Sequence, residues 1–415
     1  MDALLEQQQK THSGRTLTGG RVLGPDGLFL EADLHFDAGV ITTAPPSFQG
    51  SSQSLQGAWP QLDVSDCLIL PGIIDVHGDG HERHLMPRAG ADFPEWVALR
   101  NVDRELIANG ITTAYLAQSY SWEGEMRGAA AARSVIEGLE NLHPKPTADI
   151  RIQLRNETFY LDGIDQLLSW LEDGTISYVV FNNHIPQFEQ LRDKPEHIAR
   201  WAATIGMSPE DFWSLMAKTV ENGVGVVDGI KRLADAMRQL DVPFGSHDDP
   251  DPETRRSYHG LGATIAEFPL TRAAAQTARD LGNAIIMGAP NALRGISTSG
   301  NVTARELIEA GLCDALVSDY YYPALLHAPF KLAREGVCDL ATAWGLVSSG
   351  PAQAVGLTDR GTLAPGSRAD VVVIRQDDMG RPHVVASFVA GKLAFQDRSW
   401  GLAACSCQAG GQGRL

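Results

Sequence analysis

Between residues 68 and 350, eight apolar runs of strand length alternate with longer segments of helical periodicity. The runs are Leu68–His77, Thr112–Ala117, Ile150–Glu157, Tyr178–His184, Val242–His247, Ala263–Phe268, Ala284–Gly288 and Ala315–Asp319. A strand that is apolar on both faces must be covered on both faces, which parallel strands joined by helical crossovers achieve. Eight such units close into a TIM-like (β/α)8 barrel. The pattern therefore predicts an α/β fold whose active site, if it has one, lies where the strands end.

The two ends of the chain have a different texture. Thr18–Leu23, Leu28–Phe36 and Ala38–Ile41 read as short strands broken by turn residues such as Gly24-Pro25-Asp26-Gly27. Ala364–Ile374 and Val384–Phe395 repeat that texture near the C-terminus, so both ends are expected to build one small β-sandwich domain. The expected organisation is a tail over 1–15, a β-sandwich from 16–67 and 356–400, a barrel over 68–355 and a flexible tail over 401–415. Within the first part, Pro45–Pro60 is rich in Ser, Gln, Gly and Pro and reads as a surface loop.

Length and charge narrow the function classes. A chain of 415 residues, 43% hydrophobic and 20% charged, has ordinary globular composition. A formal net charge of −17 disfavours nonspecific binding to nucleic acid or to an anionic membrane. The first 15 residues lack the apolar core of a signal peptide and no run is long enough to span a bilayer, which points to a cytoplasmic protein. Cys67, Cys313 and Cys338 sit among apolar neighbours as free thiols, and Cys405 and Cys407 lie in the glycine-rich tail. Self-association as a homo-oligomer stays open.

The polar endings of the eight runs can be taken together. Run one ends in His77 and Asp79, whose side chains share a face because strands repeat every second residue. Run three ends in Glu157, run four in His184, run five in His247-Asp248-Asp249 and run eight in Asp319. Each alone could be a hydrogen-bonded strand cap, but six groups in register at one barrel mouth suit a borderline divalent metal such as zinc, manganese or iron. The expected ligands are His77, Asp79, Glu157, His184, His247 and Asp319, with the run-three carboxylate able to bridge two ions. Such a metal generates hydroxide from bound water near neutral pH, and Asp319 is placed to take the proton as both ligand and base. Its alternative roles are a simple ligand or a helix cap.

This arrangement resembles the amidohydrolase superfamily. Longer stretches are similar to the PhnM-type enzymes of phosphonate breakdown: His77–Arg88, Ser246–Asp249, Ala266–Pro269, Met287–Gly295, Ser299–Asn301 and Ser318–Tyr320. Those enzymes are alpha-D-ribose 1-methylphosphonate 5-triphosphate diphosphatases. The resemblance implies hydrolysis of a phosphoanhydride, leaving a 5-phosphate and releasing diphosphate. It also implies His77-x-Asp79 in place of the superfamily's usual His-x-His, and Glu157 in place of its bridging lysine. The chain departs from the pattern at Gly78 and Gly80, where Thr and Asn are common, and at Thr298, where His is common.

A small, anionic, phosphorylated substrate needs local cations or backbone N–H groups in so acidic a protein. Met287–Asn291 leads into Arg294-Gly295 and Ser297–Asn301, ahead of a helix expected to take Thr303 as its N-cap. Asn291, Arg294, Ser299 and Asn301 are the expected phosphate contacts. Arg83 and Arg88 follow the metal motif as second candidates, and Glu267 is expected to orient a ligand or neutralise an arginine. His81, Glu82 and His84 read equally as supporting groups or surface residues, and Arg255, Arg256, Trp96, Trp201 and Trp213 as helix faces and core packing. The competing functions are deamination or cyclic-amide hydrolysis on the same metal platform, and a noncatalytic metal-binding scaffold.

Overall fold

The computed structural model describes residues 14–43, 59–88, 90–297 and 300–398. Cys405, Cys407, Thr298, Ser299 and the outer parts of both expected tails lie outside them. The N-terminal part supplies β1 (Arg15–Thr18), β2 (Arg21–Leu23), β3 (Phe29–Glu31), β4 (Leu34–Asp37), β5 (Val40–Thr42), β6 (Gln61–Asp63) and β7 (Leu68–Pro71). The middle supplies β8 (Ile73–Gly78), β9 (Ile111–Tyr120), β10 (Asp149–Glu157), β11 (Tyr178–Asn182), β12 (Phe244–His247), β13 (Ile265–Glu267), β14 (Ala284–Gly288) and β15 (Ala315–Val317). The C-terminal part adds β16 (Val371–Gln376), β17 (Pro382–Val389) and β18 (Lys392–Gln396).

β8 to β15 form one parallel sheet in chain order, each strand joined to the next by helical crossovers. The ring closes where Asp79 N–H donates to Asp319 O at 2.9 Å and Asp319 N–H donates to His77 O at 3.0 Å. Asp75 braces the same seam, accepting from Ser318 Oγ at 2.5 Å and Ser318 N–H at 3.0 Å. Inside the ring pack Ile74, Val76, Tyr115, Tyr178, Val180, Ile265, Ile286 and Val317, all buried. The expected (β/α)8 barrel is therefore present.

The chain ends form two sheets, β5-β4-β1-β6 and β18-β17-β16-β7-β2-β3. Leu17 and Phe36 of the first face Ile69, Val371, Val373 and Phe388 of the second in a separate core, and the Phe36 and Phe388 rings meet edge to face at 5.3 Å. This is the sandwich built from both ends. Two boundaries differ from the sequence reading. Leu28–Phe36 is split between sheets, and Leu68–His77 breaks at Gly72, so that Leu68–Pro71 pairs with β16 and β2 instead of opening the barrel. A side chain at Gly72 would collide with Thr112, so only glycine lets the chain pass from sandwich to barrel there.

Between β11 and β12 the crossover carries three extra helices, Ile185–Gln190, Pro195–Thr204 and Pro209–Glu221. Their apolar faces gather Ile185, Phe188, Ile198, Phe212 and Met216 around Trp122 in a small core of their own. That insert brings Trp201 to the barrel mouth.

Candidate active site

A cavity of about 310 Å³ opens at the C-terminal ends of the strands, and His77, Asp79, Arg127, Arg155, His184, Trp201, His247, Asp248, Arg294 and Asp319 are among its lining residues. Three residues on this rim hold left-handed backbone without being glycine: Asp248 (φ 58°), Phe268 (φ 49°) and Asp319 (φ 54°). Each stands just past a barrel strand, where such strain aims a side chain that a regular strand would turn away.

Glu267 organises the floor. It is fully buried, and its Oε2 lies 2.8 Å from His77 Nδ1 and 3.1 Å from His247 Nδ1. Its Oε1 accepts from Gln153 Nε2 and Tyr178 Oη, each at 2.6 Å. With Nδ1 of both rings turned to one carboxylate, Nε2 of each is left for the cavity, which is how a carboxylate orients metal-binding histidines. Burial alone would raise the Glu267 carboxyl, but His77 and His247 outweigh it and hold it well below its usual range. At His77 the Glu267 charge overcomes burial and raises the imidazole, whereas burial lowers that of His247.

The six expected ligands divide into groups. Ligand atoms of His77, Asp79 and Asp319 lie within 4.8 Å of one another. Glu157 and His184 gather instead with Glu123 within the same limit, His184 Nδ1 standing 2.5 Å from Glu157 Oε1 and 3.9 Å from Glu123 Oε1. His247 stacks on His77 at 5.2 Å between centroids. The expected single cluster of six is thus divided between two sets, of which the second meets the cavity through His184, and Arg155 reaches into the first: NH1 is 3.4 Å from Asp79 Oδ2 and NH2 is 3.4 Å from His247 Nε2. His184 does not end β11, which stops at Asn182; Pro186 starts a helix and places His184 just before it.

The donors present suit a divalent cation. Burial first, and the Asp79 charge second, push Asp319 up to about 7. Two carboxylates and a histidine packed this closely share one guanidinium, that of Arg155, and nitrogen with oxygen donors is the set that zinc, manganese or iron accept. The buried His184 Nδ1 and Glu157 Oε1 make no hydrogen bond of good geometry despite their closeness, so the second set also has lone pairs to offer.

The expected phosphate contacts fare unevenly. Asn291, Arg294 and Asn301 line the cavity. Asn291 Oδ1 is spent on Ala304 N–H at 2.9 Å, and Arg294 ends a short helix, Ala289–Arg294, where a loop was expected. Thr303 caps the following helix with Glu306 as its partner, as the sequence indicates. Arg83 and Arg88 do not line the cavity: the short helix Glu82–Leu85 carries Arg83 outward to Glu105 at 3.7 Å, and Arg88 is exposed. Glu267 lies below the cavity surface, touching protein groups. His81 and His84 are held by Gln118 at 3.1 Å and Glu105 at 2.7 Å. Gly78 and Gly80 have a steric cause, since a Cβ at either would press on the Tyr322 ring.

Several site residues were missed. Arg155 shares the inner face of β10 with Gln153 and Glu157, a period-two signal that was available. Glu123 and Arg127 come from the segment after β9, and Trp201 from the inserted helices. Arg127 stacks over Trp201 at 4.5 Å and lies 3.5 Å from Glu123. Arg255, read as a solvated helix residue, is fully buried and donates to Ser246, Asp249, Ile265 O and Ala263 O.

Residues 98–395 match the amidohydrolase family, so the chain belongs to that family. The particular relative is the alpha-D-ribose 1-methylphosphonate 5-triphosphate diphosphatase of Escherichia coli strain K12, 30% identical over 349 residues that span 80% of this chain and 90% of the relative. Among solved structures, a prolidase complexed with N-methylphosphonate-L-proline superposes with a TM-score of 0.62 at 14% identity, covering 92% of this chain and 100% of the other. A D-hydantoinase from Bacillus sp. AR9 gives 0.60 at 13% identity, covering 92% and 95%. These likenesses establish the shared fold. Among the described residues, no helix is long and apolar enough to cross a membrane.

Proposed function

We propose that the protein is a metal-dependent diphosphatase that hydrolyses alpha-D-ribose 1-methylphosphonate 5-triphosphate, or a close analogue, to the 5-phosphate and diphosphate. The observation that carries this reading is the joining of the His77, Asp79 and Asp319 group with three cavity arginines, Arg127, Arg155 and Arg294. A polyphosphate needs that many positive charges near the reacting bond, whereas a neutral cyclic amide does not. The 30% identical relative carries the same activity in its name.

His77, Asp79 and Asp319, with His247 Nε2 beside them, would hold one ion, and Glu123, Glu157 and His184 a second. Zinc, manganese or iron there supplies Lewis acidity that lowers the pKa of bound water. The chain's own residues do the rest. Glu267 fixes both histidine rings, Asp319 accepts the proton of the attacking water, and Arg294 holds the phosphate chain from the opposite wall. Water oxygen bonds to the α-phosphorus, the bond from that phosphorus to the bridging oxygen breaks, and diphosphate leaves with the electron pair.

The test is to measure diphosphate release by the metal-loaded protein from this substrate and from common nucleoside triphosphates, alongside ammonia release from purines and pyrimidines and ring opening of hydantoins. Metal-dependent diphosphate release, abolished by a chelator, is expected. Ammonia release or ring opening without diphosphate would transfer the protein to deaminase or cyclic-amide chemistry.

A further inference from the structure

We propose that Arg155 is a catalytic residue that grips the phosphoryl group under attack; this rests on the diphosphatase reading above. Arg155 is 6% exposed yet is among the residues that line the cavity, so it is almost wholly buried in protein at the edge of the space a substrate would fill. Arginine carries five N–H donors in a fixed fork. Here two of the nitrogens make long contacts of 3.4 Å, to Asp79 Oδ2 and His247 Nε2, and Nε is buried without a hydrogen-bond partner. Charge-assisted bonds normally close to about 2.7–2.9 Å. A buried guanidinium this loosely held has donors in reserve, and an oxyanion is the partner they fit.

Position selects the phosphoryl group as that oxyanion. Arg155 projects from β10, and Arg294 follows β14, four strands on in an eight-strand ring and so on the opposite wall. Asp79 and His247, which Arg155 touches, belong to the reacting group itself, whereas among the described residues Arg294 has a single polar contact, to Tyr320 Oη at 3.4 Å. A phosphate chain lying between these walls puts its attacked phosphorus against Arg155 and its leaving diphosphate toward Arg294. Arg127 is already engaged with Glu123 and Trp201. As water oxygen bonds to phosphorus, one water proton passes to Asp319 and the bridging P–O bond breaks. The Arg155 fork then faces the equatorial oxygens, where charge collects.

The experiment compares metal-loaded wild type with Arg155→Ala and Arg155→Lys, reading kcat and KM on the ribosyl phosphonate triphosphate, metal content, and calorimetric affinity for inorganic phosphate, the stand-in for the attacked phosphoryl group. Arg155→Ala is expected to lose at least about 100-fold in kcat, keep its metal, and bind phosphate about 10-fold or more weaker. Added guanidinium ion, but not methylammonium, should restore at least a tenth of the lost rate. Should the alanine variant fail to fold, Arg155→Lys carries the test, with full metal content and kcat still reduced about 10-fold or more. Activity within threefold of wild type, or metal lost in proportion to activity with no guanidinium rescue, overturns the proposal and leaves Arg155 as a positioning residue for Asp79. If wild type binds phosphate through Arg155 yet releases no diphosphate from the triphosphate, the diphosphatase reading fails while Arg155 remains an oxyanion ligand.

Discussion

Glu267→Gln is nearly isosteric, yet it removes the charge that four buried donors share. In the native protein one carboxylate oxygen serves His77 Nδ1 and His247 Nδ1 and the other serves Gln153 Nε2 and Tyr178 Oη, at 2.6–3.1 Å. An amide has one acceptor oxygen, so one side must face its NH2 group. The Gln153 side can adapt, because Gln153 Oε1 is otherwise without a partner and can rotate to accept. The histidine side keeps an oxygen but loses its charge. His247 Nδ1 hydrogen-bonds the carboxylate, whereas His77 Nδ1 meets it as a close ion-pair contact without hydrogen-bond geometry. A hydrogen bond to a charged group contributes roughly 1.5–3 kcal/mol and a neutral one roughly 0.5–1.5, so the weakened His247 bond costs about 1 kcal/mol and the lost His77 ion pair adds to it. The same loss loosens both rings and makes them poorer bases. Metal affinity should therefore fall about 10- to 100-fold, the usual effect of removing such a carboxylate. Urea unfolding of the metal-free protein reads the first quantity, and competition with a chromophoric chelator reads the second. Metal affinity within twofold of wild type, with stability lowered, would refute the orienting role and leave Glu267 as a core carboxylate.

Asp319→Asn should retain most of its metal, measured by elemental analysis, while kcat falls at least about 100-fold, because an amide oxygen cannot take the proton from water. Arg294→Ala should weaken substrate binding by about 10- to 150-fold, read as a rise in KM, and leave the melting temperature almost unchanged, since Arg294 is exposed and makes one long contact among the described residues. Asp149 joins the barrel to the sandwich through Arg360 at 2.6 Å and Arg368 at 3.1 Å. Burial opposes its charge, but Arg151 and Arg360 overcome that and lower its carboxyl to about 2 from 3.8. Its contribution is complete above pH 4 and disappears as pH falls through 2, so Asp149→Asn should cost about 2 kcal/mol in urea unfolding at pH 7 and roughly half that at pH 3.

How much of this was legible in the sequence follows from which residues a strand carries. His77, Asp79, His247 and Asp319 stand at the ends of apolar runs, and the ends of barrel strands converge whatever the loops do. Those four were therefore readable one run at a time. Glu267 was visible at the end of its run, but that it would serve two histidines from below the cavity depends on β8, β12 and β13 meeting around one ring. Arg155 follows the same period-two rule as Glu157 but stands two residues inside its run, where a polar side chain on an inner strand face reads equally as barrel packing.

The residues that sequence proximity suggested illustrate the opposite case. Arg83 and Arg88 lie within twelve residues of His77 in the chain, but a single helical turn after Asp79 is enough to swing Arg83 from the mouth to the outer face, beside Glu105. Trp201 is more than a hundred residues from His77, yet a three-helix insert with its own small core carries it over the mouth and against Arg127. The cavity thus has a floor written in strand periodicity and walls written in crossover geometry. The walls depend on how each helix packs after it leaves its strand, and for Trp201 the apolar pattern of the insert matches ordinary core packing, while its partners Arg127 and Glu123 come from the segment after β9. For a barrel of this kind, the chemistry is consequently readable before the substrate contacts are, because ligands sit on the sheet and specificity sits on what is inserted between its strands.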